Sequence, residues 1–458
     1  MNPLFAPYIY QERRNKLSAA FPTGLALFLS NNESPANYPA NTYRYRQDSN
    51  FLYFFGLSLP NIAGVIDFEQ NRSFLFGDDY AIDDIIWMGD QPKLCDLAAQ
   101  IAVDEVRPLS ELPSFLNRKH VHFTPPYRAE NKIELARLLK KNLEELIPSI
   151  DLIKKIVSLR EIKSPEEIDQ MEQANMIGVT MHTAVMKHCK PDEYEQELFG
   201  LAEGIALCLG NAPSFPIILS QNGQTLHNHD HSLILEQGRL LVMDAGAENA
   251  MNYCSDHTRT LPVSGKFSTM QKEVYETVYQ AQMAAIAYCK PGIQNLENHK
   301  IAVTILTEGL QKIGLMKGNV EESVALGAHA LFMPHGLGHQ VGLDVHDMED
   351  FGENFVGYDE TVQRSKIFGW SALRMAKTLR PGHVISVEPG IYFIPHLIDI
   401  WKKEKKFEAF INYDKVETYR NFGGIRIEDC VLITETGCRV LGPHLAKSVD
   451  EIENILQK

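Results

Sequence analysis

Basic charge is scarce in this chain: 44 Lys and Arg stand against 59 Asp and Glu, a formal net charge of −15. Tracking phosphates requires clustered cations that displace counterions, so nucleic acid is excluded as a partner. Long apolar runs are missing too. Nowhere do the roughly 18 uninterrupted apolar residues of a membrane-crossing helix occur, so no membrane partner is expected. Residues 1–17 carry Arg13, Arg14 and Lys16 but no apolar stretch ahead of a small-residue cleavage site, and no secretory signal is expected. The seven cysteines (Cys95, Cys189, Cys208, Cys254, Cys289, Cys430 and Cys438) are an odd number without a C-x-x-C pair. That argues against a zinc or dithiol motif, and for reduced, mostly buried thiols in a cytoplasmic protein.

What the chain does have is apolar mass. Its 458 residues, 44% of them hydrophobic, can fill a core in each of about two or three domains. Strand-like runs at Leu25 to Leu29, Gly64 to Phe68 and Ser73 to Phe76, with a helical segment from Glu130 to Leu146, predict an α/β domain over residues 1–158. A boundary signal follows at Leu159 to Glu167. There Ser164 can cap a helix, Pro165 takes its first position and Glu167 completes a capping box; Ile168, Met171, Ala174 and Ile177 then recur at helical spacing. Residues 159–458 predict an α+β domain with a largely antiparallel sheet. Its helices are expected at Glu166 to His188, Glu193 to Leu209, Thr269 to Lys290 and Asn298 to Ile313. Its strand-like runs are Arg239 to Asp244, His257 to Val263, His383 to Glu388 and Gly424 to Thr434. Asp350 to Trp370 and Ile398 to Arg420 read as insertions outside the core.

The strand-like runs carry acids where apolar residues would cost less. Leu240 to Met243 leads to Asp244, Val384 to Val387 leads to Glu388, and Ile425 and Ile427 flank Arg426 ahead of Glu428. An unpaired buried carboxylate is strongly unfavourable, so these acids need cations or hydrogen-bond donors. Any one of them alone is best read as a solvated strand end. Together with the histidine cluster His335, His339 and His346-Asp347 they predict a metal site, because carboxylates with one imidazole suit Mn²⁺, Co²⁺, Fe²⁺ or Zn²⁺. Shared carboxylates suit two ions with a bridging water that becomes hydroxide near neutral pH.

Four ordered segments resemble the metallopeptidases of the pita-bread fold. They are Asp244-Ala245-Gly246 with Ser255-Asp256-His257-Thr258-Arg259-Thr260, Pro334 to His339 with Val345-His346-Asp347, Val387-Glu388-Pro389-Gly390, and Gly424-Ile425-Arg426-Ile427-Glu428-Asp429. Tyr45 to Tyr53 and Ile86-Trp87-Met88-Gly89 resemble the creatinase-like N-terminal domain of the same family, which points to its proline-directed branch. The resemblance implies a curved, mainly antiparallel catalytic sheet. It implies a metal set of Asp244, Asp256, His339, Glu388 and Glu428, with Asp244 on one ion, His339 and Glu388 on the other, and Asp256 and Glu428 bridging. Asp244 and Asp256 stand twelve apart, one more than the family spacing, so a bulge or a longer turn is expected between them.

The same resemblance assigns the remaining roles. Glu388 would shuttle the proton, His346 and His335 would steady the oxyanion or the substrate, and His227, seventeen before Asp244, would touch substrate. Arg426 would orient ligating carboxylates from the same strand face. Arg374, fourteen before Glu388, stands where prolidases carry the arginine that binds the substrate carboxylate. His229 and His231 have no match and are expected to be solvated, while Cys254 and Cys430 are read as neighbours of the ligands only. Trp87 matches a tryptophan that caps a neighbouring subunit's site, which implies a homodimer, although a core tryptophan is the commoner case. The expected activity is hydrolysis of Xaa-Pro dipeptides with two divalent ions, Mn²⁺ foremost. The alternatives are an aminopeptidase P acting on longer Xaa-Pro peptides and a metal-free binding protein on the same fold.

Overall fold

Short, fully buried apolar strands that end in or lead to an acid are what the catalytic half folds around. The computed structural model describes residues 3–117 and 119–457. The chain divides into two units, residues 1–160 with 350–352, and residues 161–349 with 353–458.

The N-terminal unit holds a five-stranded mixed sheet. Leu25–Leu29 pairs antiparallel with Ala63–Asp67, which pairs antiparallel with Arg72–Phe76; Glu105–Arg107 and Val121–His122 add parallel edges. Leu25, Leu27, Val65, Phe74 and Phe76 form its core with Leu112, Leu135 and Leu138 from the helices behind. This is the expected α/β layering.

The second unit opens with the capped helix read from the sequence. Ser164 accepts from the Glu167 amide, Glu167 Oε2 accepts from the Ser164 amide at 3.0 Å, and α1 (Pro165–His188) follows. Helix α2 (Glu195–Leu209), strand β1 (Ile218–Ser220), β2 (Leu240–Ala245) and β3 (His257–Pro262) come next. Then come α3 (Thr269–Tyr288), α4 (Asn295–Lys312), β4 (Val384–Val387), β5 (Gly390–Tyr392), β6 (Gly424–Arg426), β7 (Asp429–Ile433) and β8 (Cys438–Val440). Every named pairing in this unit is antiparallel: β3-β2-β1, β4-β7-β8 and β5-β6. A bridge between Thr258 and Glu428 joins the pieces.

Strand alternation then sorts the side chains. Leu241, Met243, Leu261, Ile425 and Ile427 face the main core with Met181, Leu198, Val278 and Leu306 of the four helices. Ile385, Val387, Val431 and Ile433 face a second cluster. The residues between them, Asp244, Arg426, Glu428 and Glu388, are thereby turned the other way.

The register explains the twelve-residue spacing. Asp244 pairs with Thr258 and Ala245 with His257, and the pattern continues to the bridge between Glu248 and Cys254 without a shift. A three-residue turn, Ala250-Met251-Asn252, closes it: the Asn249 amide donates to the Tyr253 carbonyl (2.9 Å), and Asn252 sits at φ 65°. The longer turn, not a bulge, keeps Asp244 and Asp256 on one face. Gly246 allows the strand to pass its partner closely, since a Cβ there would lie 1.8 Å from the Ser255 carbonyl oxygen.

Two expectations fail. Neither presumed insertion lies outside the core. Tyr358 and Val362 belong to the second cluster, and Ile398, Trp401, Val416 and Tyr419 to the main one. Their apolar positions fall on short helices and turns, too brief for periodicity to register. The strand expected over Gly424 to Thr434 is broken at Ile427-Glu428, where Glu428 turns toward β3.

One ion pair anchors the histidine segment. Lys163 Nζ lies 2.8 Å from Asp347 Oδ2, with each side chain 1% exposed. Asp347 in turn donates its amide to the Gln340 carbonyl, closing the loop that carries His346. Replacing Lys163 with Ala removes the cation that faces the buried Asp347 carboxylate, at an expected cost of about 3–5 kcal/mol. The check is the urea midpoint of unfolding; an unchanged midpoint would contradict this role for the pair.

Candidate metal centre and active-site cavity

Where β2, β3, β4 and β6 end, their outward-turned side chains converge on one cavity of about 300 Å³. Asp244, Asp256, His335, His339, His346, His227, Arg374, Glu388, Arg426 and Glu428 all line it. Ligand atoms of Asp256, His339 and Glu428 lie within 4.8 Å of one another. His339 Nε2 is 3.3 Å from Asp256 Oδ2 and 3.6 Å from Glu388 Oε1. Its Nδ1 hydrogen-bonds the Gln340 carbonyl at 3.0 Å, which puts the proton there and leaves Nε2 as a lone-pair donor.

Arg426 organises the other side. It donates to Asp244 Oδ2 (2.6 Å), Thr258 Oγ1 (3.0 Å) and the Tyr392 hydroxyl (2.8 Å), while Thr258 donates onward to Glu428 Oε2 at 2.7 Å. Two carboxylate oxygens are left over. Asp244 Oδ1 and Asp256 Oδ1 are buried with no hydrogen-bond partner. Four carboxylates, two of them with an orphaned oxygen, and one neutral imidazole form a donor set that fits divalent cations.

The electrostatics carry the same message. Burial, then the charges of Asp244 and Glu388, push the Asp256 carboxyl well above its usual range. Burial, then Asp256, Glu388 and Asp244, do the same to Glu428. Glu388 is pushed up to about 8, chiefly by burial and then by Asp244, with Arg426 opposing. Burial holds His335 down to about 3 and His339 and His346 to about 4, so all three are neutral near pH 7.

The rest of the expected set falls into place unevenly. His335 Nε2 meets the Tyr392 hydroxyl at 2.9 Å, and its Nδ1 is 3.7 Å from Glu388. The His346 ring lies 4.0 Å from that of His339, and Arg374 Nη1 is 2.5 Å from His346 Nδ1. His227 is exposed at the cavity lining, with its pKa lowered by partial burial and then by Arg426. Trp87 belongs to the N-terminal unit and is 86% exposed on helix Ile82–Met88, none of whose residues is buried, so it is not a core tryptophan.

His229 is exposed, as expected of a solvated loop residue, and His231 departs from expectation. His229 lines the cavity, and His231 is buried, bonded to the Leu219 carbonyl at 2.9 Å and stacked on Phe199. Asn228 and His231 tie the loop to β1, while His229 and Asp230 stay exposed. Cys254 and Cys430 are both buried, and Cys430 Sγ contacts the Asp256 carbonyl, not a cavity oxygen. Sequence reasoning missed Thr258, Tyr392 and Glu349. Thr258 and Tyr392 could have been found from strand parity, being two from Asp256 and four from Glu388. Glu349, three after His346, gave no signal of its own. The apolar wall of Phe215, Pro216 and Ile218 was missed as well.

Fold and cavity together define a metal-dependent hydrolase of the pita-bread type, and the comparisons make this specific. The chain belongs to metallopeptidase family M24, which matches residues 169–435, and residues 10–122 match the aminopeptidase P N-terminal domain. It is 32% identical to the Xaa-Pro dipeptidase of Homo sapiens, across 96% of this chain and 90% of that one. It is 30% identical to the Xaa-Pro aminopeptidase of Escherichia coli (strain K12), across 98% and 97%. The solved structure of Escherichia coli aminopeptidase P with the inhibitor Pro-Leu superposes with a TM-score of 0.82 at 29% identity, covering 99% of both chains. The family resemblance read from the motifs is borne out, and the protein is a metallopeptidase. The metal-free binder is set aside.

A pH dependence follows for the metal-free protein. Glu388 has a folded pKa raised to about 8, so its contribution to stability is present below its unfolded value of about 4.3 and is lost as pH rises through 8. Asp256 and Glu428 shift in the same direction. The melting temperature of chelator-treated protein is therefore expected to fall between pH 5.5 and 8. With Mn²⁺ added the slope should reverse, because ligands bind metal deprotonated. Parallel curves with and without metal would contradict this.

Proposed function

We propose that the protein is a Mn²⁺-dependent Xaa-Pro dipeptidase working with two ions. The observation that carries this reading is the Arg374 guanidinium on the wall of a cavity of only about 300 Å³, at the small end of ligand pockets, roughly 300–1,000 Å³. A dipeptide ending in proline presents a free carboxylate within such a space, and a fixed guanidinium pairs with it. Asp244 would hold one ion, His339 and Glu388 the other, with Asp256 and Glu428 shared. When bound, the ions supply Lewis acidity, polarising a carbonyl oxygen and making water nucleophilic near neutral pH.

The chain's own groups do the rest. Glu388 takes the proton of the attacking water and passes it to the proline nitrogen, which must leave as a protonated amine. His346 steadies the developing oxyanion, while His335, with Nδ1 on the Gly336 carbonyl (2.8 Å) and Nε2 on the Tyr392 hydroxyl, steadies the substrate. His227, also on the cavity lining, contacts the substrate. Arg426 keeps Asp244 and, through Thr258, Glu428 aimed at the ions.

Trp87, exposed on its own unit, suits a homodimer in which it reaches a partner's substrate. The seven free cysteines suit a reducing cytoplasm. The second reading, an aminopeptidase P acting on longer Xaa-Pro peptides, draws on the 30% identity to the Escherichia coli enzyme.

Arg374→Ala separates the two. For Xaa-Pro dipeptides kcat/KM is expected to fall at least about 30-fold, the scale of a lost charge pair. For Xaa-Pro-Yaa peptides the loss should stay within a few-fold. Undiminished dipeptide turnover in this variant would sink the dipeptidase reading.

A further inference from the structure

Arg374 does not face the cavity as a free cation. Its Nη1 is ion-paired with Glu349 Oε1, and its Nε lies 3.9 Å from Glu353, which is itself 2.8 Å from Arg364. The second oxygen of Glu349 sits 2.5 Å from His346 Nδ1. Glu349 thus spends one oxygen on the guanidinium and the other on an imidazole, and both of those side chains line the cavity. Glu349 itself remains 43% exposed at the side chain.

We propose that Glu349 is a specificity-determining residue that sets how strongly the site takes a substrate ending in a free carboxylate, by competing for the guanidinium of Arg374. The argument rests on the reading that Arg374 meets that carboxylate. A lone guanidinium would attract it with a full positive charge. The Arg374–Glu349 pair presents nearly none, and an incoming carboxylate must displace Glu349 or share the fork beside a like charge. Glu349 therefore weakens ground-state binding of dipeptides while leaving substrates without a terminal carboxylate unaffected. It is ionised whenever the enzyme works, since its hydrogen bond to His346 holds its carboxyl down to about 2. A structural role, in which Glu349 merely holds Arg374 in place, predicts the opposite sign. Removing it would then loosen the guanidinium and weaken dipeptide binding.

The test uses the Mn²⁺-loaded full chain with two probes, Leu-Pro and its amide Leu-Pro-NH₂, in the wild type, Glu349→Gln, Arg374→Ala and the double variant. Glutamine keeps the shape and an oxygen acceptor for His346 Nδ1 but removes the charge. Glu349→Gln is expected to lower KM for Leu-Pro roughly tenfold. Its kcat for Leu-Pro and its KM for Leu-Pro-NH₂ should stay within about twofold of wild type, and in the Arg374→Ala background the substitution should do nothing. If Arg374→Ala harms both probes equally, the assignment of Arg374 itself fails. If Arg374→Ala is selective for Leu-Pro but Glu349→Gln raises KM or shifts both probes alike, the role of Glu349 is overturned.

Discussion

Four carboxylates turned into one cavity from strands whose other face is hydrocarbon are the constraint on which this structure depends. Asp244, Asp256, Glu388 and Glu428 crowd one cavity, and burial further penalises the charges of Asp256, Glu388 and Glu428. Arg426 offsets part of this through Asp244 and Thr258. What remains is two orphaned oxygens and a neutral His339 Nε2 facing the same space. A domain does not keep such an arrangement for stability; it is strain retained for cation binding and chemistry.

Adjacent residues show how local the device is. Glu428 faces the cavity and is pushed well above the usual carboxylate range, first by burial and then by its acidic neighbours. Asp429, one residue on, is held well below it. Burial opposes its charge too, but the cations of Arg259 and Lys447 outweigh that cost. Arg259 Nη2 and Lys447 Nζ each lie 2.7 Å from Asp429, and Gln282 adds a hydrogen bond at 2.8 Å. Arg259 also donates to the Thr258 and Glu428 carbonyls, so the same guanidinium ties β3 to the segment carrying Glu428. One side of the strand is fully compensated, and the other is left open. Glu428 sits in the break between β6 and β7 and Asp429 begins β7, and this local geometry decides which acid faces the cavity.

Much of this was legible in the sequence because an acid closing an apolar strand run is hard to disguise. An acid at the end of Leu240 to Met243 or of Val384 to Val387 has only one way to point once the apolar residues face the helices. The capping box at Ser164 and Glu167 likewise fixed a helix start from local chemistry. What escaped reading was long-range or loop-borne. The extra residue between Asp244 and Asp256 needed the left-handed Asn252 turn to be seen. Residues 350–370 and 398–420 hid core residues in short helices. Glu349 draws its meaning from Arg374, 25 residues away in sequence, and no spacing announces such a pair.

The most direct test of the account is the number of Mn²⁺ ions held per chain, counted by elemental analysis after equilibrium dialysis at pH 8. Two ions are expected in the wild type and about one once Asp244 is replaced by Asn, because its orphaned oxygen then no longer carries charge toward the second position. A single ion at saturation, undisturbed by the loss of Asp244, would contradict the two-ion centre.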